Sequence, residues 1–391
     1  MPRQNPPQPR LAQAAHGAAR VASAHAEQAE IHRSLAPEVM AALVGAGFAR
    51  HFVPAAHGGR AGQQTPGTDG GSFTALLPAV GALGAVCPSA AWCASIMAGL
   101  ARMAAFLPEE GRKQLWQDGP DAVIVGSVSP KGRARHTEGG WLLSGEWPYV
   151  SAVSHSDWAL VLGLVEQPDG GTERRMFALR RAVYRIERTW SDIGMRGTGS
   201  DSLVAEDVFV STSLTFRAED LMAGRAPGPA ARCHTVPLPV VNGLFFTLPM
   251  LGAARGALAQ WLALAEKRLH ALGPGVPGPG RSLYEETLAR SSGEIDAAEL
   301  LLGRVTALAD SGTDVTAKDA ARCQRDCALA ADLLVGAVER LFRSAGTAGH
   351  SEHSPLQRLW RDVHSAAGHV VLQFGPAAMA YAQQVLSPPA P

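Results

Sequence analysis

The spacing of apolar residues changes twice along this chain, and these two changes constrain the fold more than any single motif does. Before about residue 120, apolar side chains recur at the turn spacing of helices, as in Leu35, Val39 and Leu43. From about 122 to 210, short β-branched or aromatic runs alternate with Gly, Pro and Asp clusters, which predicts an antiparallel sheet or barrel. After about 225 the helical spacing returns, which predicts a bundle. Its four predicted helices are 241–270, 283–309, 315–344 and 355–386.

We therefore predict an α+β fold that is mostly α. The predicted segments are a disordered tail over 1–20, an N-terminal helical domain over 21–120, a central antiparallel β-barrel domain over 121–222 and a C-terminal four-helix bundle over 223–391. The tail is expected because the chain starts with a polar, proline-rich stretch that lacks the apolar core of a signal peptide.

Charge and cysteine content narrow the classes of function. The 35 Lys and Arg residues balance the 35 Asp and Glu residues, so no nucleic-acid or membrane partner is expected. Five cysteines, an odd number, favour a reducing compartment, and we expect a cytoplasmic protein. The most apolar stretch, 240–265, contains Asn242, Pro249 and Arg255, which favours a buried helix over a membrane span. No metal-site motif is found in the sequence.

Residues 273–278 match the letters G-x-G-x-x-G of dinucleotide-binding loops. No strand is predicted before them, and prolines occupy the turn that would have to open a helix. We therefore interpret the segment as a linker between helices, and we do not expect a built-in nicotinamide site.

Three predicted loops place hydroxyl, aromatic and glycine residues at strand ends, over 126–132, 145–151 and 190–200. Such loops can present N–H and O–H groups to a polar planar ligand while an aromatic ring covers its face. Ordinary β-turn chemistry is the alternative interpretation. The candidate residues are Ser127, Ser129, Tyr149, Ser151, Gly197, Thr198 and Ser200.

A further candidate lies in the last predicted helix. Residues 354–357 read as a capping box with Pro at the first helical position. At 3.6 residues per turn, Arg358, Asp362, Ser365 and His369 fall on one face. An ion pair between Arg358 and Asp362 is the purely structural alternative. His369 has apolar neighbours, so it can stay neutral and accept a proton, unless it is a satisfied core histidine.

Taken together, these motifs resemble the acyl-CoA dehydrogenase fold and, more narrowly, its oxygenase branch, the two-component flavin-dependent monooxygenases. This branch contains phenol hydroxylases, dibenzothiophene monooxygenase and the amino-sugar nitrososynthases. The matching motifs, in chain order, are 46–48, 53–54, 58–59, 88–92, 145–151, 155–158, 196–200 and 355–362, followed by His369.

The resemblance implies an oxygenase component that binds reduced flavin, FMN or else FAD, between the β domain and the bundle. A separate flavin reductase would supply the flavin, and the protein would be a homotetramer. Oxygen would add to the flavin as a C4a-hydroperoxide and would be transferred to a small aromatic or an amine, as in natural-product biosynthesis.

By position, the resemblance also implies roles for single residues. Ser151 would hydrogen-bond flavin N5, and Tyr149 would lie against the ring. The other cofactor-binding positions that it implies are Ser127, Ser129, Gly197, Thr198 and Ser200. His369 would lie over the flavin and deprotonate the substrate, which Trp92 and Ile96 would also contact.

Two positions depart from the family pattern. Ala152 follows Ser151 where the family usually has Gly, which predicts crowding of the flavin edge. Gly99 stands where many phenol hydroxylases of the branch have a histidine, which counts against a simple phenol as substrate.

Two other functions remain open. An acyl-CoA dehydrogenase needs a carboxylate base, but neither 221–265 nor 363–391, where the family places it, contains Asp or Glu. A catalytically silent flavin-fold subunit would have its cavity filled by side chains, and the presence of Ser151 and His369 argues against it.

Overall fold

The computed structural model describes residues 10–63, 69–167, 170–271 and 279–386, and it is mostly helical around a central sheet. The N-terminal helices are α1 (Leu11–Ala24), α2 (Ala26–His32), α3 (Pro37–Ala46), α4 (Phe73–Gly84), α5 (Pro88–Ala104) and α6 (Glu109–Leu115). The strands are β1 (Ile124–Thr137), β2 (Gly140–Trp147), β3 (Trp158–Glu166), β4 (Thr172–Arg180), β5 (Arg185–Glu187), β6 (Ser202–Ser211) and β7 (Thr215–Arg217). The C-terminal helices are α7 (Ala218–Ala223), α8 (Arg232–Thr235), α9 (Leu238–Val241), α10 (Leu244–Ala271), α11 (Pro279–Asp310), α12 (Ala317–Ser344), α13 (Pro355–Ala367) and α14 (Phe374–Leu386). The predicted mostly α, α+β class is confirmed.

Helix α1 corrects the prediction of a disordered tail over 1–20. It begins at Leu11, two residues after the last proline of the N-terminal stretch, and its alanines favour helix. Leu11, Ala15 and Ala18 lie on one buried face, and the Leu11 N–H donates to the Asp69 carboxylate at 2.6 Å. Residues 1–9 lie outside the described residues.

The sheet is mixed and open, which corrects the prediction of an antiparallel barrel. The strand order is β5-β6-β2-β1-β3-β4-β7, so β5 and β7 are its two edges. The chain crosses from β2 to the far side of β1, and β3 therefore pairs with β1 in parallel, while the other pairings are antiparallel. The β1–β3 register shifts between Ser127 and Gly132. This bulge takes Ser129 out of the regular ladder, directly after Ser127, the last residue paired before the shift.

The helix predicted over 355–386 is broken in two. Helix α13 begins at Pro355 as predicted, although Ser354 makes no side-chain cap, and it ends at Ala367, with Gly368 as its C-cap. His369 has extended backbone angles and precedes a short 3₁₀ turn over Val370–Leu372. The histidine therefore lies on the link between α13 and α14 and not within a helix. The predicted linker at 273–278 lies outside the described residues.

The apolar segment Leu238–His270, which comprises α9 and most of α10, has the length and composition of a membrane-spanning helix. However, 83% of its most apolar window is buried within the protein. This burial is what a central helix of a folded domain requires, and α10 accordingly packs against α4, α5, α12 and α13.

Candidate active site

A cavity of about 570 Å³ lies between the sheet, helices α5 and α10 and the α13–α14 link. Nine of the ten predicted site residues line it. They are Trp92, Ile96, Ser127, Ser129, Tyr149, Ser151, Thr198, Ser200 and His369. The sheet side of the cavity is rich in hydroxyl groups, whereas the helical side is apolar and aromatic. The cavity therefore offers two chemically different walls to a bound molecule.

Gly197 is the predicted site residue that does not line this cavity. It faces the N-terminal helices, where an added Cβ would lie 2.9 Å from the Ala29 Cβ and 3.1 Å from the Ser89 Cβ. Its contribution is close packing of the 190–200 loop against α2 and α5, and not contact with a ligand in the cavity.

The hydroxyl wall is a chain of buried hydrogen bonds. Trp92 Nε1–H donates to Ser151 Oγ at 3.0 Å. Ser151 Oγ lies 2.9 Å from Ser200 Oγ, which lies 2.6 Å from Thr198 Oγ1. Thr198 donates its proton to the Met195 carbonyl at 2.8 Å. Because each hydroxyl has one proton, Ser200 then donates to Thr198 and Ser151 donates to Ser200. Ser151 is left with one free lone pair.

The loop that carries Thr198 and Ser200 is held by a buried carboxylate. The Met195 N–H donates to Asp362 Oδ1 at 2.5 Å, and Met195 has a left-handed backbone with φ of 53°. Burial, followed by repulsion from Glu30, raises the pKa of Asp362 to about 7. Arg358 instead donates to the Val86 carbonyl at 3.4 Å. The Arg358–Asp362 ion pair weighed as the structural alternative is therefore not formed.

Ala152 also joins this loop to the strand before it. Its N–H donates to the Thr198 carbonyl at 2.8 Å, and its φ of 58° is left-handed. The side chain is buried and is not part of the cavity lining. This placement does not support the expected crowding of the flavin edge by Ala152, because its buried side chain does not border the cavity.

His369 is packed between aromatic rings. The Phe246 ring stacks on the imidazole with centroids 3.8 Å apart, and Trp92 lies edge-on at 5.9 Å. Burial lowers the pKa of His369 to about 4, so the ring is neutral at pH 7. The Val371 N–H donates to its Nδ1 at 3.3 Å, which puts the proton of the neutral ring on Nε2. Nε2 has no protein partner among the described residues and can donate to a ligand.

Tyr149 lies exposed at the mouth of the cavity. Tyr149 is 70% exposed, has φ of 63°, and lies edge-on to Trp190 with centroids 6.2 Å apart. A left-handed backbone is uncommon for tyrosine, and the exposed Tyr149 ring lies at the opening of the cavity.

Several lining residues were not predicted as site residues. Asn242, Phe245 and Phe246 belong to one face of the α9–α10 segment, and Gly99, Leu100 and Met103 extend the Trp92–Ile96 face of α5. Their helical spacing was visible in the sequence, but the same spacing describes an ordinary core face. These residues differ from those of an ordinary core face because they border the cavity.

Comparison with known proteins places these features in a family. The family model for the acyl-CoA dehydrogenase C-terminal domain matches residues 244–374. The oxygenase component of the FADH(2)-dependent resorcinol hydroxylase of Rhizobium sp. (strain MTP-10005) is 30% identical, over 98% of this chain and 96% of its own. The flavin-dependent monooxygenase oxygenase subunit HsaA of Mycobacterium tuberculosis is also 30% identical, over 73% of this chain and 75% of its own. The crystal structure of 3-HSA hydroxylase from Rhodococcus sp. RHA1 superposes with a TM-score of 0.88 at 26% identity, covering 97% of this chain and 98% of its own.

Proposed function

This chain belongs to the oxygenase subunits of the two-component flavin-dependent monooxygenases, and we propose that it hydroxylates a small aromatic compound with reduced flavin and O₂. The observation that carries the proposal is the two-walled cavity, with a hydroxyl chain on one side and the Phe246–His369 stack on the other. Because the family is that of oxygenase components, a separate reductase supplies the reduced flavin.

The hydroxyl wall fits a flavin ring. Reduced flavin carries a proton on N5, and Ser151 has a free lone pair to accept it once its own proton is donated to Ser200. Ser127 and Ser129 face the cavity from the β1 bulge, where the Ser129 N–H donates to Ser127 Oγ at 3.3 Å. When bound, the reduced flavin would activate O₂ and supply one oxygen atom for transfer. FMN is the proposed form, with FAD as the second candidate.

The residues around Ser151 would keep this contact fixed. Trp92 holds the serine oxygen from one side, and the Ser200–Thr198 pair holds its proton from the other. Phe245 and Phe246 exclude water from the opposite wall. Fixed polar groups in a dry site suppress unproductive loss of peroxide.

His369 would contact the reacting group of the substrate. As a neutral ring it can donate Nε2–H to a substrate oxygen. The predicted role of proton acceptor requires the other tautomer, and hence loss of the 3.3 Å contact from Val371 N–H to Nδ1. We assign His369 to the substrate side of the cavity. Substitution of His369 distinguishes the role of hydrogen-bond donor from that of proton acceptor.

The proposal includes a homotetramer in the cytoplasm. Helix α14 exposes Met379 by 61% and Leu386 by 81%, and the preceding link exposes Val370 by 75%. Apolar surface of this kind is typically covered by a second chain.

Single-turnover oxidation tests the function. The protein is mixed anaerobically with reduced FMN or reduced FAD, then with ¹⁸O₂ and a panel of phenols and indoles. Incorporation of one ¹⁸O atom into an aromatic product is expected. Release of hydrogen peroxide alone with every compound would reject the proposal, and rapid bleaching of oxidised flavin by acyl-CoA would favour a dehydrogenase instead.

A further inference from the structure

The charges around the cavity restrict what can enter it. No Lys or Arg occurs among the described residues that line it, and Asp192, which is exposed, is the one acidic side chain there. A carboxylate buried without a cation loses its hydration with nothing to replace it. The cavity therefore disfavours an aromatic acid.

The helical wall of the cavity is lined by apolar side chains that can contact an aromatic ring. Leu100 and Met103 line it from α5, and Phe245 lines it from α10. Gly99 lies directly against Phe245, since an added Cβ would come within 3.1–3.2 Å of three atoms of that ring. Because Gly99 has no side chain, the Phe245 ring packs directly against α5, and the cavity wall is apolar at this point.

Asn242 is a neutral polar group on the same wall. It lies at the junction of α9 and α10, one turn before Phe246, which stacks on His369. It lines the cavity and is half-buried. Its side-chain amide forms no hydrogen bond with any described residue, so both its donor and its acceptor are available to a ligand.

We propose that the cavity selects uncharged aromatics, whose hydroxyl or amide substituents are hydrogen-bonded by Asn242 and His369, and that Asn242 is a specificity-determining residue against aromatic acids. The proposal rests on the proposed function and adds the substrate class to it. A half-buried amide left without a partner is penalised when a purely apolar ring binds, so polar, uncharged rings gain most.

Matched pairs of compounds test the substrate class. The pairs are 4-hydroxyphenylacetamide with 4-hydroxyphenylacetate, and indole-3-acetamide with indole-3-acetate, which differ in charge but hardly in shape. Each is measured for binding to the assembled protein by calorimetry and for ¹⁸O incorporation with reduced flavin. We expect the amide of each pair to be preferred by about tenfold or more in Kd and kcat/KM.

The outcomes separate the two proposals. Equal or tighter binding of the acids would overturn the proposed substrate class. If the acids were also oxygenated efficiently, the proposed function would still be supported. Preferential binding of the amides with no oxygenation of any compound would reject the proposed function and retain the selectivity of the cavity.

Two variants test Asn242 itself. Asn242→Leu removes the amide and is expected to raise KM for the preferred amide by about tenfold. Asn242→Lys adds a cation, which is expected to tighten binding of the acid and so to raise the ratio of Kd for the amide to Kd for the acid above that of the wild type. Gln260→Leu, the same chemical change at an exposed position of α10, is the matched control. If the ratio is unchanged in Asn242→Lys, with circular dichroism showing a folded protein, Asn242 does not determine specificity.

Discussion

Asp362 of α13 accepts a hydrogen bond from the backbone N–H of Met195 at 2.5 Å, although the two residues are 167 positions apart in the chain. Met195 in turn accepts from Thr198, which continues through Ser200 to Ser151. The carboxylate therefore fixes the hydroxyl wall of the cavity from behind, without touching the cavity.

Substitution of Asp362 tests this positioning. Asp362→Ala leaves the Met195 N–H buried without a partner and is expected to lower the free energy of unfolding by about 1–3 kcal/mol. It is also expected to raise the fraction of oxygen released as peroxide. Asp362→Asn keeps an acceptor oxygen and is expected to restore coupling. Denaturant unfolding and the ratio of peroxide to product measure the two effects. Equal coupling in Asp362→Ala and the wild type would contradict the positioning role.

The same residue gives a pH dependence of stability. Its pKa is raised from 3.8 to about 7 in the folded protein, so between these pH values the folded state binds more protons than the unfolded one. The free energy of unfolding of the wild type is therefore expected to fall, relative to that of Asp362→Asn, as the pH rises from about 4 to about 7. Parallel urea titrations of the two proteins at pH 5 and pH 7.5 measure this difference. A constant difference would mean that Asp362 is already ionised at pH 5.

Ser151→Ala is expected to increase peroxide release several-fold while reduced flavin still binds, because a single hydrogen bond of about 1 kcal/mol is lost. Ser144→Ala, a serine of β2 that bonds Asp207 outside the cavity, is the control. The measurement is peroxide formed per reduced flavin consumed. Identical values for the two variants would remove Ser151 from the proposed contact with N5.

The role of His369 can be tested with an alanine and a glutamine substitution. His369→Ala is expected to reduce product formation by about 100-fold while flavin oxidation continues. Gln places an amide N–H near the position of Nε2, so His369→Gln is expected to recover much of the activity if the ring acts as a donor. Little recovery of product formation in His369→Gln would instead favour a role for His369 as the base that accepts the substrate proton. Since burial lowers the pKa of His369 to about 4, its protonation should not affect the rate above about pH 5. A rate inflection near pH 6.5 that disappears in His369→Gln would contradict this environment.

The proposed homotetramer predicts a role for α14. Met379→Lys places a charge within its exposed apolar surface and is expected to shift the protein to a smaller species. Gln384→Lys adds the same charge to an exposed position of the same helix and is the control. Analytical ultracentrifugation measures both masses. A monomeric wild type, or an unchanged assembly in Met379→Lys, would reject this interface.

Much of the fold was predictable from local pattern. The resemblance to the oxygenase branch is confirmed by the relatives and by the superposed structure, and most of the predicted site residues meet in one cavity. The roles assigned to them remain predictions. The spacing of the motifs was informative about the site because loops at the ends of strands in one sheet can bring their hydroxyl groups close together.

The remaining features depend on contacts between distant segments. Periodicity continued through 368–373 and gave no sign of the break that places His369 on a link. The parallel β1–β3 pairing depends on how the chain crosses the sheet, which no run of residues reveals. The partner of Asp362 was equally hidden, because an acidic residue four positions from an arginine on a helix is most simply read as an ion pair.

The hydrogen-bonded wall draws its members from α5, the segment after β2 and the loop before β6, and α13 supports it from behind. These contributors are spread along the chain from Trp92 to Asp362, so a fragment needs parts of the N-terminal helices, the sheet and the C-terminal helices to contain them all. Removal of any one of these regions by truncation should therefore abolish oxygenation, since the activity is a property of the completed tertiary structure and cannot be transferred with the sheet alone.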